Sequence, residues 1–295
     1  LYNMMNKKMS VLLIVVMAIM LGLTGCSSNK NGTGKIKLAY VAWDSEIAST
    51  NVVKEVLESK LNYRVEMIQV DAGPMYVGVA DGAADAMVAA WLPSTHGEIY
   101  YEPNKDKLED LGANLKGTKL GLVVPAYMDI KSIEDLKKED VGKLVDYTIT
   151  GIEPGAGIMT QAELAVKEYD LNKWNVLASS SAAMVKVLQD AYAKQEPIII
   201  TGWTPHWMFA DMDLKYLEDP KKAFGESEEI HTLVRLGLKE DHPKAYRFLD
   251  QFEWTPADME SVMGDITEGM PEEEAAKKWV AANEAKVNKW IAGIE

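Results

Sequence analysis

Short apolar runs alternate along this chain with stretches whose apolar residues recur at helical spacing, and the alternation occurs twice. From residue 35 the pattern predicts a strand "KIKLAYVAW", a helix "EIASTNVVKEVLESKL", a strand "YRVEMIQV", a helix "PMYVGVADGAA" and a strand "DAMVAAWL". It resumes with "VDYTITGI", "GIMTQAELAVKEYDL", "NVLASS", "SAAMVKVLQDAYAK" and "PIIITGW", again strand, helix, strand, helix, strand. Near-continuous apolar strands separated by helices predict a mainly parallel sheet covered on both faces. Two such units predict two α/β domains. Two further extended apolar stretches, "GTKLGLVVPAYM" (117–128) and "EEIHTLVRLGL" (228–238), are expected to cross between the domains as a hinge. The first domain is then discontinuous, residues 35–122 plus 232–295, and the second is 123–231. The tail after residue 239 is amphipathic, with Trp254, Trp279 and Trp290 expected to pack within helices.

The N-terminal segment reads differently. Lys7 and Lys8 precede the apolar run "VLLIVVMAIMLGL", which is too short for a comfortable membrane span, and "LTGC" follows, ending at Cys26. Residues 1–26 are therefore expected to be a secretory leader. Cys26 is the only cysteine in the chain. Its place at the end of such a leader resembles a bacterial lipobox, which implies lipidation of its thiol and an extracytoplasmic, membrane-anchored protein. Residues 27–34, "SSNKNGTG", then form a flexible tether.

Charge excludes one class of partner. The formal net charge of -14 becomes -16 without the two leader lysines, and the Lys and Arg clusters that nucleic-acid phosphates require are missing. No zinc-type Cys/His spacing, Walker-type loop or GxGxxG motif is present, so no metal or cofactor is expected.

Candidate chemistry lies at the strand ends. Trp43 ends "KIKLAYVAW", Trp91 ends "DAMVAAW" and Trp203 ends "PIIITGW". Ligands of open parallel sheets bind outside the carboxyl ends of the strands, so three indoles drawn from both domains can converge on one crevice. Flat π faces arranged as a box attract a poorly hydrated cation, and quaternary ammonium recognition uses this geometry. Sugars also stack on tryptophan, so carbohydrate remains open on this pattern, although these strand ends are poor in groups for hydroxyls. Trp207, one step further into its loop, is read as packing.

A second half of the site is suggested by "GIEPGAGIMTQAELAVKEY" (151–169), in which glycines precede a helix. Exposed N–H groups at a helix N-terminus hold an anion without a cationic side chain, with Gly157 and Ile158 as the donors. His96, five residues after Trp91, can add one donor. An enzyme would need a nucleophile with a base, or paired carboxylates. Asp44 and Glu46 lie beside Trp43 but are expected to cap the following helix, so no catalytic group is assigned.

"YVAWDSEIAST", "AAWLPSTH", "GIEPGAGIM" and "TGWTPHWMF" together resemble the signature segments of the glycine betaine-binding lipoproteins of bacterial ABC importers, over residues 36 to the C-terminus. Some members carry these segments permuted; here the "YVAWDS" half comes first. The resemblance implies a two-domain clamp of the type II periplasmic-binding-protein kind, with a tryptophan prism of Trp43, Trp91 and Trp203 around a trimethylammonium group. It further implies that the Gly157 and Ile158 amides and His96 hold a carboxylate, and that ABC permease subunits are the partner. One departure is Tyr76, where relatives often have Trp. Choline lacks a carboxylate and would leave the anion turn unused. Carnitine is a further alternative, and glycine betaine and proline betaine are not distinguished.

Overall fold

The computed structural model describes residues 33–226 and 228–294. The expected leader, Cys26 and most of the tether lie outside the described residues. Thr33 is already fixed, its N–H donating to the Asn62 carbonyl at 2.9 Å, and Gly34 opens the first strand.

The first lobe is built on β1 (Gly34–Tyr40), β2 (Tyr63–Gln69) and β3 (Ala86–Leu92), which pair in parallel in the order β2-β1-β3. All seven residues of β3 are buried, as its unbroken apolar sequence requires of a strand covered on both faces. Helices α1 (Asp44–Ser59) and α2 (Ala72–Ala80) make the connections. In the second lobe, β5 (Thr148–Thr150), β6 (Asn175–Leu177) and β7 (Ile200–Thr204) repeat the arrangement, with β5 parallel to both neighbours. Their connections are α3 (Gly157–Glu168) and α4 (Ser181–Lys194). Helix α4 coincides with its sequence pattern because its start is marked chemically: Ser180 Oγ accepts the Ala183 N–H at 3.2 Å.

The strands between the lobes correct the expectation of a mainly parallel sheet. The order is β2-β1-β3-β9-β4-β7-β5-β6, with β8 (Leu214–Tyr216) also on β4, and every pairing of β4 (Leu108–Pro125) and β9 (Glu228–Arg235) is antiparallel. Residues 108–118 of β4 pair with β9, and 119–125 pair with β7 and β8, so this one strand runs from lobe to lobe. β9 belongs to the first sheet from Glu228 onward. Apolar pattern identifies such strands but carries no direction, which is why a parallel sheet was expected.

The tail is helical, in α5 (Pro243–Gln251), α6 (Pro256–Thr267), α7 (Glu272–Ala282) and α8 (Glu284–Trp290). Trp279 and Trp290 stack with centroids 5.7 Å apart, and Trp254 meets Trp279 edge-on. Trp279 and Trp290 are helical, whereas Trp254 lies in the link between α5 and α6. Helix α6 starts on a capping box in which Thr255 and Asp258 bond each other's backbone N–H. Thr255→Ala is expected to lower stability by about 0.5 to 2 kcal/mol in a chemical denaturation experiment. An unchanged midpoint would mean the helix start is held by packing alone.

Candidate functional site

A small cavity is lined by Trp43, Trp91, Thr95 and His96 of the first lobe, Leu120 on the crossing strand, and Ile152, Ala156, Gly157, Ile158 and Trp203 of the second. All six residues singled out as ligand contacts therefore border one space.

The three indoles reach it from different local structures. β1 ends at Tyr40, and Trp43 is the N-cap of α1 in an extended conformation, so it lies beyond the strand end that the sequence pattern predicted. Trp91 is the penultimate residue of β3 and Trp203 lies within β7, opposite Leu120 of β4. All three are buried. Trp43 lies 5.8 Å from His96, and Trp203 meets His206 edge-on at 4.8 Å. Among the described residues the Trp203 indole N–H has no hydrogen-bond partner.

The polar side of the cavity is made by a loop and a helix start. Gly157 and Ile158 open α3, and their N–H groups have no carbonyl one turn earlier to bond. The N-cap, Ala156, offers no side chain to them. A Cβ on Gly157 would lie 2.5 Å from both the Thr95 carbonyl oxygen and its methyl carbon, so only glycine allows this helix end to sit against the loop. Gly155, in the turn before it, has φ of +88°, the left-handed region that glycine favours.

His96 completes the donor set. The Trp91 N–H donates to Nδ1 at 3.2 Å and the Tyr76 hydroxyl lies 3.3 Å from the same atom, so Nδ1 is the unprotonated nitrogen and Nε2 carries the proton. Burial pushes the His96 pKa down to about 3. The ring is neutral at physiological pH, and among the described residues its Nε2 has no partner. Ser94 and Thr95 N–H groups donate to Glu228 Oε1 at 2.5 and 2.9 Å, which fixes the loop bearing His96.

Asp44 and Glu46 do not cap α1, contrary to expectation. The N-cap is Trp43, which has no side-chain cap bond, and each carboxylate accepts an indole N–H: Trp207 donates to Asp44 Oδ1 at 2.9 Å, and Trp91 to Glu46 Oε1 at 2.8 Å. The third such pair is Trp43 with Glu153. Two of these pairs span the lobes, as do Tyr100 with the Gly155 carbonyl and Ser181 Oγ with Asp44 at 3.4 Å. Sequence pattern did not identify these partners. Burial raises the Asp44 pKa, but the bonds and charge of His206 and the bond from Trp207 outweigh it, leaving it below the ordinary value.

A cavity enclosed by side chains of two α/β lobes, with aromatic faces on one side and N–H donors on the other, defines a solute-binding clamp. The chain belongs to the family of substrate-binding domains of ABC-type glycine betaine transport systems, whose model matches residues 34–282. It is 52% identical over 160 residues to the glycine betaine/carnitine transport binding protein GbuC of Listeria monocytogenes. That stretch is 54% of this chain and spans about half, 53%, of the length of that relative. The fold is similar to that of lactococcal OpuAC in its closed-liganded conformation complexed with glycine betaine, with a TM-score of 0.83, 46% identity, and coverage of 88% of this chain and 99% of that one. The glycine betaine, L-proline-binding protein ProX of Borrelia burgdorferi matches with a TM-score of 0.83 and 36% identity, over 88% of this chain and 97% of its own.

Proposed function

We propose that this protein is the solute-binding component of an ABC importer, that it binds glycine betaine, and proline betaine as well, between its lobes, and that it delivers the ligand to the membrane permease for osmoprotection. The observation that carries this reading is one cavity bordered by three indoles and by the Gly157 and Ile158 amides and the His96 Nε2–H. In this reading Trp43, Trp91 and Trp203 hold the trimethylammonium group, and each face contributes about 0.5 to 2 kcal/mol. The amides and His96 hold the carboxylate. Binding is an equilibrium with no covalent step. A ligand touching both lobes stabilises the closed form by its differential affinity, and the permease recognises that form.

The hinge is proposed on β4 and on the segment ahead of β9, rather than on 228–238, which moves the expected domain bounds at 122/123 and 231/232 back by a few residues. Delivery to a permease places the protein outside the cytoplasm, and Cys26 is proposed as its lipid anchor. Among the described residues no helix is long and apolar enough to cross a membrane.

Calorimetric titration of residues 27–295 with glycine betaine, proline betaine, choline and a neutral sugar tests the reading. Saturable binding of both betaines, weaker choline and no sugar is expected. Choline as tight as glycine betaine would remove the carboxylate half of the site, and binding of the sugar alone would replace the reading altogether.

A further inference from the structure

Glu46 is fully buried, in the first turn of α1 and behind one wall of the cavity. Its carboxylate has three polar neighbours: the Trp91 indole N–H at 2.8 Å, Ser45 Oγ at 3.5 Å and Ser49 Oγ at 3.4 Å. Among the described residues no lysine, arginine or histidine pairs with it. A buried carboxylate without a counter-cation is costly, and replacing such a group with a neutral one is ordinarily neutral or stabilising. Trp91, which receives that carboxylate on its N–H edge, presents surface to the cavity.

We propose that Glu46 is the counter-charge of the aromatic box, a positioning residue whose carboxylate acts through Trp91 to favour a cation over a neutral group of the same shape. This rests on the cavity being a quaternary ammonium site. The missing partner of the buried charge is then the ligand. Hydrogen bonding of the indole N–H to a carboxylate fixes the ring orientation and raises electron density on the face offered to the cation. Trp43, bonded to Glu153, is arranged in the same sense, but Glu153 is partly exposed and takes the Ser181 N–H as well, so Glu46 is the desolvated member.

Burial raises the Glu46 pKa to about 7, against the opposing bonds from Trp91, Ser49 and Ser45. The other titratable groups around it are Tyr76 of α2, raised well above its ordinary value by burial, and His96, lowered to about 3 by burial, both neutral at pH 6 to 8. Asp44, two residues back, stays ionised over that range. Two turns further along α1, Lys54 forms an ion pair with Glu273 of α7. A bound cation favours the ionised carboxylate and lowers its pKa. The gain in affinity is therefore fully present above the unliganded pKa near 7 and is lost as pH falls through the liganded value.

The test compares glycine betaine with 3,3-dimethylbutanoate, in which carbon replaces the ammonium nitrogen, on the wild type and on Glu46→Gln, which retains an acceptor for the Trp91 N–H. At pH 8, Glu46→Gln is expected to weaken glycine betaine binding about ten-fold without weakening the analogue, whose head group is uncharged and whose carboxylate makes it an anion. The unliganded variant is expected to melt at or above the wild-type temperature. In the wild type the ratio of the two affinities should rise about five-fold from pH 6 to 8, a measurement that needs no variant. Equal losses for both ligands, or a ratio flat with pH, would overturn the counter-charge. Absence of glycine betaine binding to the wild type would instead overturn the reading of the site.

Discussion

Trp91→Ala is expected to weaken glycine betaine binding by about 2 to 3.5 kcal/mol, roughly 30- to 400-fold. Two losses combine. One is the aromatic face itself, about 0.5 to 2 kcal/mol when desolvated. The other is the Glu46 counter-charge, which acts on the cation through this ring and whose ten-fold contribution, about 1.4 kcal/mol, is lost with it. Trp203 is the internal control, because among the described residues its indole N–H bonds nothing. Trp203→Ala removes a face and no carboxylate partner, so its effect should stay within about 0.5 to 2 kcal/mol. Calorimetry on both variants checks the order. Equal losses would mean that the carboxylate behind Trp91 adds nothing to the ring in front of it.

Gly157→Ala should have an effect of similar size through geometry alone, since alanine keeps the N–H proposed as a donor. Its Cβ would lie 2.5 Å from the Thr95 carbonyl oxygen, a backbone atom on a loop already held by Glu228. The helix start and the loop must separate, and the donors on α3 and on His96 then no longer converge on one carboxylate. We expect the affinity for glycine betaine to fall by about two orders of magnitude, the equivalent of one or two charge-assisted hydrogen bonds. Stability should fall by about 1 to 3 kcal/mol from overpacking. Gly264→Ala is the contrast. That glycine lies inside α6 with open space where a Cβ would stand, so alanine there should stabilise by up to about 1 kcal/mol without touching binding. Wild-type affinity in Gly157→Ala would show that the tight seat of α3 on the loop does not shape the site.

Much of this architecture is legible in the sequence because it rests on local signals. The unbroken apolar run of β3, the serine that starts α4 and the repeated strand–helix alternation each follow from a few adjacent residues. The tryptophans were legible for a different reason, namely that large rings recur where strands end. The rest depends on contacts between distant residues. Glu46 meets Trp91 across 45 positions, Glu153 meets Trp43 across 110, and Asp44 meets Trp207 across 163. No periodicity encodes which carboxylate finds which indole, so Asp44 and Glu46 read as caps. Thr95, Leu120, Ile152 and Ala156 line the cavity but are residue types that serve equally in a core. Tyr76 stands behind the site, against His96 Nδ1 and stacked on Tyr100, consistent with an aromatic residue of either kind at that position.

The most direct test of the central claim is a crystal structure of the protein grown with glycine betaine. The account predicts the trimethylammonium group in contact with the faces of Trp43, Trp91 and Trp203, and the carboxylate within hydrogen-bond distance of the Gly157 and Ile158 amides and His96 Nε2. A ligand bound elsewhere, or one lying in this cavity with its carboxylate against the indoles, would contradict it.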